Sequence, residues 1–501
     1  MMTTGSDQQD TADPFFLPYY SRLNSSIEQF TADAVAQDPR IFRAGQADVR
    51  YAAERKLYFA LVASSELYGY FVAKTTNAPL PDVDDLSIWA RQIAPYFNGS
   101  SPPFGSPRNP LSSVLRSIHR RYGKAHVRVE GCGQGKPELL FLVIHPKFVR
   151  YLKPIAEATR RSYAFLAIDN PQMGAYMAEQ GLPRVLLDMT PESELFMRPL
   201  VTILGIEFRT CLFDSCIIQV NAIRRALRDL APRCVVIPEG NADIYELVNQ
   251  AGKSAAIPTV CIQQGWAPIV HPGFRNMSYD RMCVWGKTFA DLLLPHNRKQ
   301  KFAIVGNHMI SCEPQGDVAK RSAIAFFLQN GAHWITEHTW GALLDFIEWT
   351  ARRFPTHEVR VREHPGEGLK SEDTARLGAL ANVKLMPPAH YPLADVLTDC
   401  RCAVAINSTV VLEAIAGGIV PLILDVCGFG RYSPDVARDG AALEVRDFRE
   451  ARQALDQIMD GDAYAASFAA PLDRVAKDLF ARHGQQAIQA IAGEIATIAR
   501  K

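Results

Sequence analysis

From about Lys136 onward the chain alternates short, unbroken apolar runs with longer stretches of helical spacing. The run ELLFLVI (138–144) leads through Pro146 into an amphipathic stretch ending near Arg161, and YAFLAID (163–169) leads into a helix candidate ending at Gly181. RVLLD (184–188) follows, then a region rich in Arg and Leu. CVVIPEG (234–240), a helix over 242–250, PTVCIQQG (258–265) and RMCVWG (281–286) complete a first series. Such runs lack the apolar–polar alternation of a half-exposed strand because parallel strands flanked by helices are covered on both faces. A second series opens at KFAIVG (301–306) and continues with SAIAFFLQ (322–329), a long helix near 335–353 and HEVRVREHP (357–365). NVKLM (382–386), CAVAIN (402–407), a short helix and GIVPLILD (418–425) close it. The pattern predicts an α/β fold with two Rossmann-like domains, 131–295 and 296–470, facing a central cleft and closed by a C-terminal helix over 471–501.

Residues 1–130 follow a different rhythm. Tyr51 to Lys74 reads as one buried helix, and Leu111 to Tyr122 as a short basic one. Between them, TTNAPLPDVDD and FNGSSPPFGSPRNP are dense in loop-forming residues. The segment is expected to be a mostly helical extension without an interpretable motif.

Composition changes this picture little and function more. In 501 residues, 54 Lys and Arg stand against 53 Asp and Glu, so no global field draws the chain to nucleic acid or an anionic membrane. The start, MMTTGSDQQDTADPFF, has no basic region leading into an apolar one, and the longest uncharged apolar stretch, Ala414 to Leu424, is broken by Gly417, Gly418 and Pro421. Neither a signal peptide nor a membrane-spanning helix is expected. The 10 cysteines are then expected as buried thiols in a reducing cytoplasm, with no zinc-type spacing and no metal site.

Ligands of open parallel sheets bind beyond the carboxyl ends of the strands. Four strand ends carry chemistry. After CAVAI stand Asn407, Ser408 and Thr409, then Glu413 one helical turn on; the first three suit a phosphate at a helix start, Glu413 suits ribose hydroxyls, and Ser408 or Thr409 equally suits an ordinary N-cap. His364-Pro365 follows EVRV, where Pro365 keeps His364 extended and aims a group that titrates near neutrality, or where His364 is a plain loop residue. Glu239, after CVVIP, is placed as general base or nucleophile, with Asp243 close behind; the alternative is helix capping by Asn241 beside a solvated acid. Gln264-Gly265-Trp266 follows PTVCI, where Gly265 admits close backbone approach to an acceptor or forms a plain turn. Gly306, before Asn307, is a weaker phosphate-side turn.

The order of these pieces resembles the GT-B glycosyltransferases of bacterial surface polysaccharide assembly. EGN, QQG, VWG, IVGN, HP and NSTVVLEAIAGGIVPL recur in that sequence over about 136–480. The chain is most similar to capsule-type enzymes that transfer Kdo or sialic acid from CMP-activated donors. The resemblance implies that His364, Pro365, Asn407, Ser408, Thr409, Glu413 and Gly306 hold the donor, that Glu239 and His364 are catalytic, and that Gln264, Gly265 and Asp243 face the acceptor. In that family two acids precede the glycine of the catalytic motif, where this chain has Pro238-Glu239-Gly240, and the paired serines stand here as Asn407-Ser408. The implied activity uses neither cofactor nor metal. Expected partners are a small-molecule nucleotide sugar and a glycan, lipid-linked or protein acceptor, with no nucleic acid and with room for peripheral association with the inner membrane. A nucleotide-sugar epimerase, a CDP-glycerol- or UDP-sugar-dependent transferase, and a degenerate polysaccharide-assembly scaffold remain the alternatives on the same skeleton.

Overall fold

The computed structural model describes residues 15–82, 85–99, 125–133, 135–189, 208–266, 271–310, 320–329, 335–364, 368–406, 408–426 and 432–500. Two sheets organise them. The first contains eight strands: β1 (Ala125–Glu130), β2 (Leu139–Leu142), β3 (Tyr163–Ile168), β4 (Arg184–Met189), β5 (Cys234–Pro238), β6 (Thr259–Ile262), β7 (Arg281–Val284) and β8 (Phe302–Ile304). They lie in the order β8-β7-β6-β5-β2-β3-β4-β1, parallel throughout except for β1, which runs antiparallel to β4. The second contains β9 (Ala323–Phe327), β10 (Val359–Arg362), β11 (Val383–Leu385), β12 (Cys400–Ala405), β13 (Val420–Leu424) and β14 (Leu443–Val445). All are parallel, in the order β11-β10-β9-β12-β13-β14. Both sheets place the first strand of their doubly wound unit in the middle and grow outward in both directions, so each has one switch point, between β2 and β5 and between β9 and β12. This is the α/β arrangement of two Rossmann-like units that the apolar runs predict. Every residue of β2, β5, β12 and β13 is buried, which is why those runs show no alternation.

Several elements differ from the reading of the sequence. β1 lies in the segment expected to be a helical extension; it is an edge strand whose charged, partly exposed side chains set it apart from an apolar run. β8 was expected to open the second domain, yet it pairs with β7 and completes the first sheet. The Tyr51–Lys74 segment is two helices, Arg50–Leu61 and Ser65–Thr76, separated where the Ser64 hydroxyl accepts from Leu67 N at 3.3 Å and starts the second. The basic stretch 111–122 lies outside the described residues.

The C-terminal end is two helices rather than one. Ala469–Leu479 belongs to the second half, and Gly484–Ile498 returns to the first. Ile491, Ile495 and Ile498 share a core with Leu139, Phe141, Val236 and Val260. The chain crosses back where Ala481 N donates to Trp285 O and Asn307 N donates to Arg482 O, each at 3.0 Å. Chain therefore passes between the two units twice. The N-terminal helices share a core with the first unit: Tyr19, Leu57 and Tyr58 are in the same cluster as Tyr245, Leu247 and Tyr279.

Candidate active site

At the first switch point, β5 stops at Pro238 and Glu239 takes a left-handed backbone with φ of 58°. That region is unfavourable for a residue with a Cβ, and the surroundings must hold it there. Glu239 N donates to Ile262 O at 2.8 Å, which ties the turn to the end of β6. The Glu239 side chain is 16% exposed, and burial pushes its carboxyl above the ordinary carboxylate range, while Lys147 and Asn241 oppose the rise. Lys147 Nζ stands 3.6 Å from Glu239 Oε1. Lys147 comes from the first turn of helix Pro146–Ala158, whose N-cap His145 accepts from Lys147 N through its ring, so the start of this helix sets a cation beside the carboxylate.

The next strand end supplies the floor. A Cβ on Gly265 would lie 3.3 Å from Glu239 Oε1, so the glycine lets the loop close over the carboxylate. Of the two glutamines, Gln263 faces the protein: its carbonyl accepts from Tyr151 Oη at 2.8 Å and Trp285 Nε1 at 2.9 Å, and its Oε1 accepts from Trp285 N at 3.1 Å. Gln264 is partly exposed. Asp243 opens helix Asp243–Ala255, where its charge favours the helix start.

At the second switch point, β12 leads to Ser408 and Thr409. Ser408 Oγ accepts from Val410 N at 3.3 Å, while Thr409 makes no side-chain cap to the helix Val410–Ala416. The capping expectation therefore falls to Ser408. Asn407 and Pro365 lie outside the described residues. Glu413 is pushed up to about 7 by burial, against the Arg362 guanidinium, which opposes the rise. Arg362 ends β10 and donates from Nη1 to Tyr391 O at 2.6 Å. Burial lowers Arg362 from its ordinary value while Glu413 raises it. Tyr432 is buried beside Glu413 and donates to Ser408 O at 2.8 Å. His364, two residues beyond Arg362, is exposed.

The two ends meet. Trp266, next to Gly265, donates from Nε1 to Ser433 O at 2.6 Å, and Ser433 follows Tyr432. One contact path thus joins Glu239, Gly265, Trp266, Ser433, Tyr432 and Ser408 across the cleft. Gly306 is placed differently from the expected phosphate turn. Its φ is 93°, and a Cβ there would collide with the Arg482 backbone, so this glycine accommodates the returning C-terminal segment.

Lys147, Arg362 and Tyr432 gain roles that the sequence reading did not assign. Lys147 had a visible signal, as a cation just inside a helix start announced by His145-Pro146. Arg362 stood in the quoted strand end, and only the fold sets it against Glu413. Among the described residues, no group of three or more His, Cys, Asp or Glu could hold a metal ion, and no helix is long and apolar enough to cross a membrane.

No protein-family model matches the chain, and no curated protein matches it. Solved structures of similar course include the Anabaena protein HepE in complex with UDP and glucose, at 13% identity over 72% of this chain and 98% of that one, with a TM-score of 0.44. The glycotransferase of kitacinnamycin is 14% identical over 73% and 99%, with a TM-score of 0.46. The UDP-GlcNAc 2-epimerase from Neisseria meningitidis bound to UDP-GlcNAc is 13% identical over 72% and 99%, with a TM-score of 0.45. The likeness concerns the course of the chain, and what each of those proteins binds is a property of that protein.

Proposed function

We propose that the chain is a glycosyltransferase that moves a sugar from a nucleotide-activated donor to a glycan or other surface acceptor. The observation that carries the reading is the contact path from the Glu239–Lys147 ion pair at one switch point to Ser408 at the second, where the Glu413 carboxyl feels the Arg362 guanidinium. Transfer breaks the bond between the sugar and the donor phosphate and forms one to an acceptor oxygen. It needs positive charge where the phosphate leaves and a base where the acceptor proton departs. Arg362 and the hydroxyls of Ser408 and Thr409 serve the first need, with His364 at the rim. Glu239 serves the second: a carboxyl raised by burial is a stronger base than an ordinary one, and Lys147 keeps it ionised enough to accept a proton. Glu413 suits the ribose hydroxyls. The donor carried over from the resemblance is a CMP-linked ulosonic acid, whose own carboxylate would meet Lys147 in the cleft.

Calorimetric titration with CMP, CDP and UDP reads the donor class. Glu239→Gln is expected to keep nucleotide affinity and lose transfer, and an unimpaired variant would remove Glu239 from catalysis. His364→Ala is expected to abolish turnover, whereas full activity would take His364 out of the site. An NMR assay of the donor without acceptor should show no conversion; interconversion of the sugar under those conditions would make the chain an epimerase instead.

A further inference from the structure

Helix Arg50–Leu61 buries two charged residues, Glu54 and Arg55. Glu54 is satisfied within the N-terminal segment, accepting from Thr31 Oγ1 at 2.6 Å and Arg50 Nε at 2.9 Å. Arg55 reaches out of that segment into the first Rossmann-like unit. Its Nη1 lies 3.3 Å from Glu246 Oε2 on helix Asp243–Ala255, and neither side chain has any exposure. Glu246 also accepts from Gln250 Nε2 at 2.8 Å. A buried ion pair loses nearly as much in desolvation as it gains in attraction, and apolar residues of similar volume stabilise a core at least as well. Stability alone therefore gives little reason to keep one here.

The guanidinium also faces the Tyr279 phenol, with the Cys261 thiol and the buried His271 ring close enough to feel its charge. Tyr279 is buried, and its hydroxyl donates to Gly240 O at 3.3 Å. Gly240 has a φ of 83° and sits directly after Glu239, so two consecutive left-handed residues form the turn that carries the carboxylate. The turn is clamped, since a Cβ on Gly240 would lie 2.7 Å from Cys261 Sγ and 3.3 Å from Tyr279 Oη. Around Glu239 stand Lys147 from helix Pro146–Ala158, Asn241 from its own loop, Tyr245 from helix Asp243–Ala255 and Cys261 from β6.

We infer that Arg55 is a positioning residue for Glu239, acting through Tyr279 and the Gly240 carbonyl, so that the N-terminal helical segment forms part of the active site's support. The inference rests on the reading of Glu239 as the base. Glu246 is the counter-charge that lets a guanidinium stay buried beneath the turn. Loosening the relay lets the carboxylate swing toward water, and displacement of a reacting group by about 1 Å can cost up to two orders of magnitude in rate.

Two variants test it. Tyr279→Phe removes only the hydroxyl, and Arg55→Met with Glu246→Gln removes both charges together while keeping an acceptor for Gln250. Both are expected to fold, to keep nucleotide affinity, and to lose about tenfold or more in kcat with KM for the donor unchanged. In the free protein, ¹³C-labelled glutamate titrations, with the Glu239 signal assigned by Glu239→Gln, should show its midpoint falling toward the ordinary range in both variants. Unchanged kcat and an unchanged Glu239 midpoint in both variants would overturn the inference and leave Arg55 a structural ion pair. A wild-type protein that transfers no sugar, but whose Glu239 midpoint falls in both variants, would preserve the positioning role and refute the proposed function.

Discussion

Replacing Glu413 by Gln keeps the shape of the side chain and removes one titration. In the folded protein burial raises this carboxyl from 4.5 to about 7, with Arg362 opposing. A raised carboxyl binds a proton in the folded state over a range where the unfolded chain has already lost it. Its contribution to stability is therefore complete below about 4.5 and is lost as pH rises through about 7. The interval is about 2.5 pH units at about 1.36 kcal/mol each, roughly 3 kcal/mol as an upper bound, reduced by the solvent that reaches a partly exposed side chain. For a unit of about 150 to 250 residues, 1 kcal/mol moves the thermal midpoint by about 2–4 °C, so the bound corresponds to roughly 6–12 °C. The assay is differential scanning fluorimetry of wild type and Glu413→Gln at half-unit steps from pH 5 to 8. The wild type should lose ground against the variant as pH rises, with the change concentrated below about pH 7. Other raised carboxyls, Glu54 and Glu239, titrate in both proteins and cancel in the difference. A gap independent of pH would refute the placement of Glu413 as a buried acid beside Arg362.

Trp266→Phe keeps the ring packed against Phe274 and Phe289 and removes the hydrogen bond to Ser433. It should cost about 1 kcal/mol, seen as a lowered calorimetric midpoint; an unaltered scan would argue against that bond bridging the cleft. Gly306→Ala places a Cβ against the Arg482 backbone at a φ of 93°, so the variant should unfold at markedly lower temperature, and wild-type stability would contradict the crossing of the C-terminal segment at this point. Glu246→Ala alone strands the Arg55 charge in a fully buried place and should cost about 3–5 kcal/mol in urea unfolding, against a much smaller loss for the charge-free double replacement.

The parts of the fold visible in the sequence were those whose physics is local. Runs such as 139–143, 234–238 and 402–405 are apolar throughout because each strand is covered on both faces, and no knowledge of its neighbours is needed to see that. What escaped depended on distant partners. β1 carries His126, Arg128 and Glu130, and only its pairing with β4 makes it a strand of the first sheet. β8 has the same apolar signature whichever sheet it joins, and its ladder with β7 decides. The Ala-rich C-terminal helices gave no sign that one would return to the first unit. At the site, Glu239 and Ser408 follow strands that border the two switch points, with Glu413 in the helix after the second. A glycine before a polar residue has two explanations, close approach of a ligand or close approach of the chain itself, and Gly306 has the second. The cations beside the acids were missed because Lys147 lies 92 residues before Glu239 and Arg362 lies 51 before Glu413 in the chain.

The central claim is that the cleft between the two sheets holds a nucleotide through the Ser408 and Arg362 side. Its most direct test is calorimetric titration of CMP, CDP and UDP into wild type and Arg362→Ala. The account predicts saturable binding of at least one nucleotide to the wild type, weakened by tenfold or more in the variant, as expected when a phosphate loses a charged hydrogen-bond partner. Absence of binding by all three nucleotides, or equal affinity in the two proteins, would contradict it.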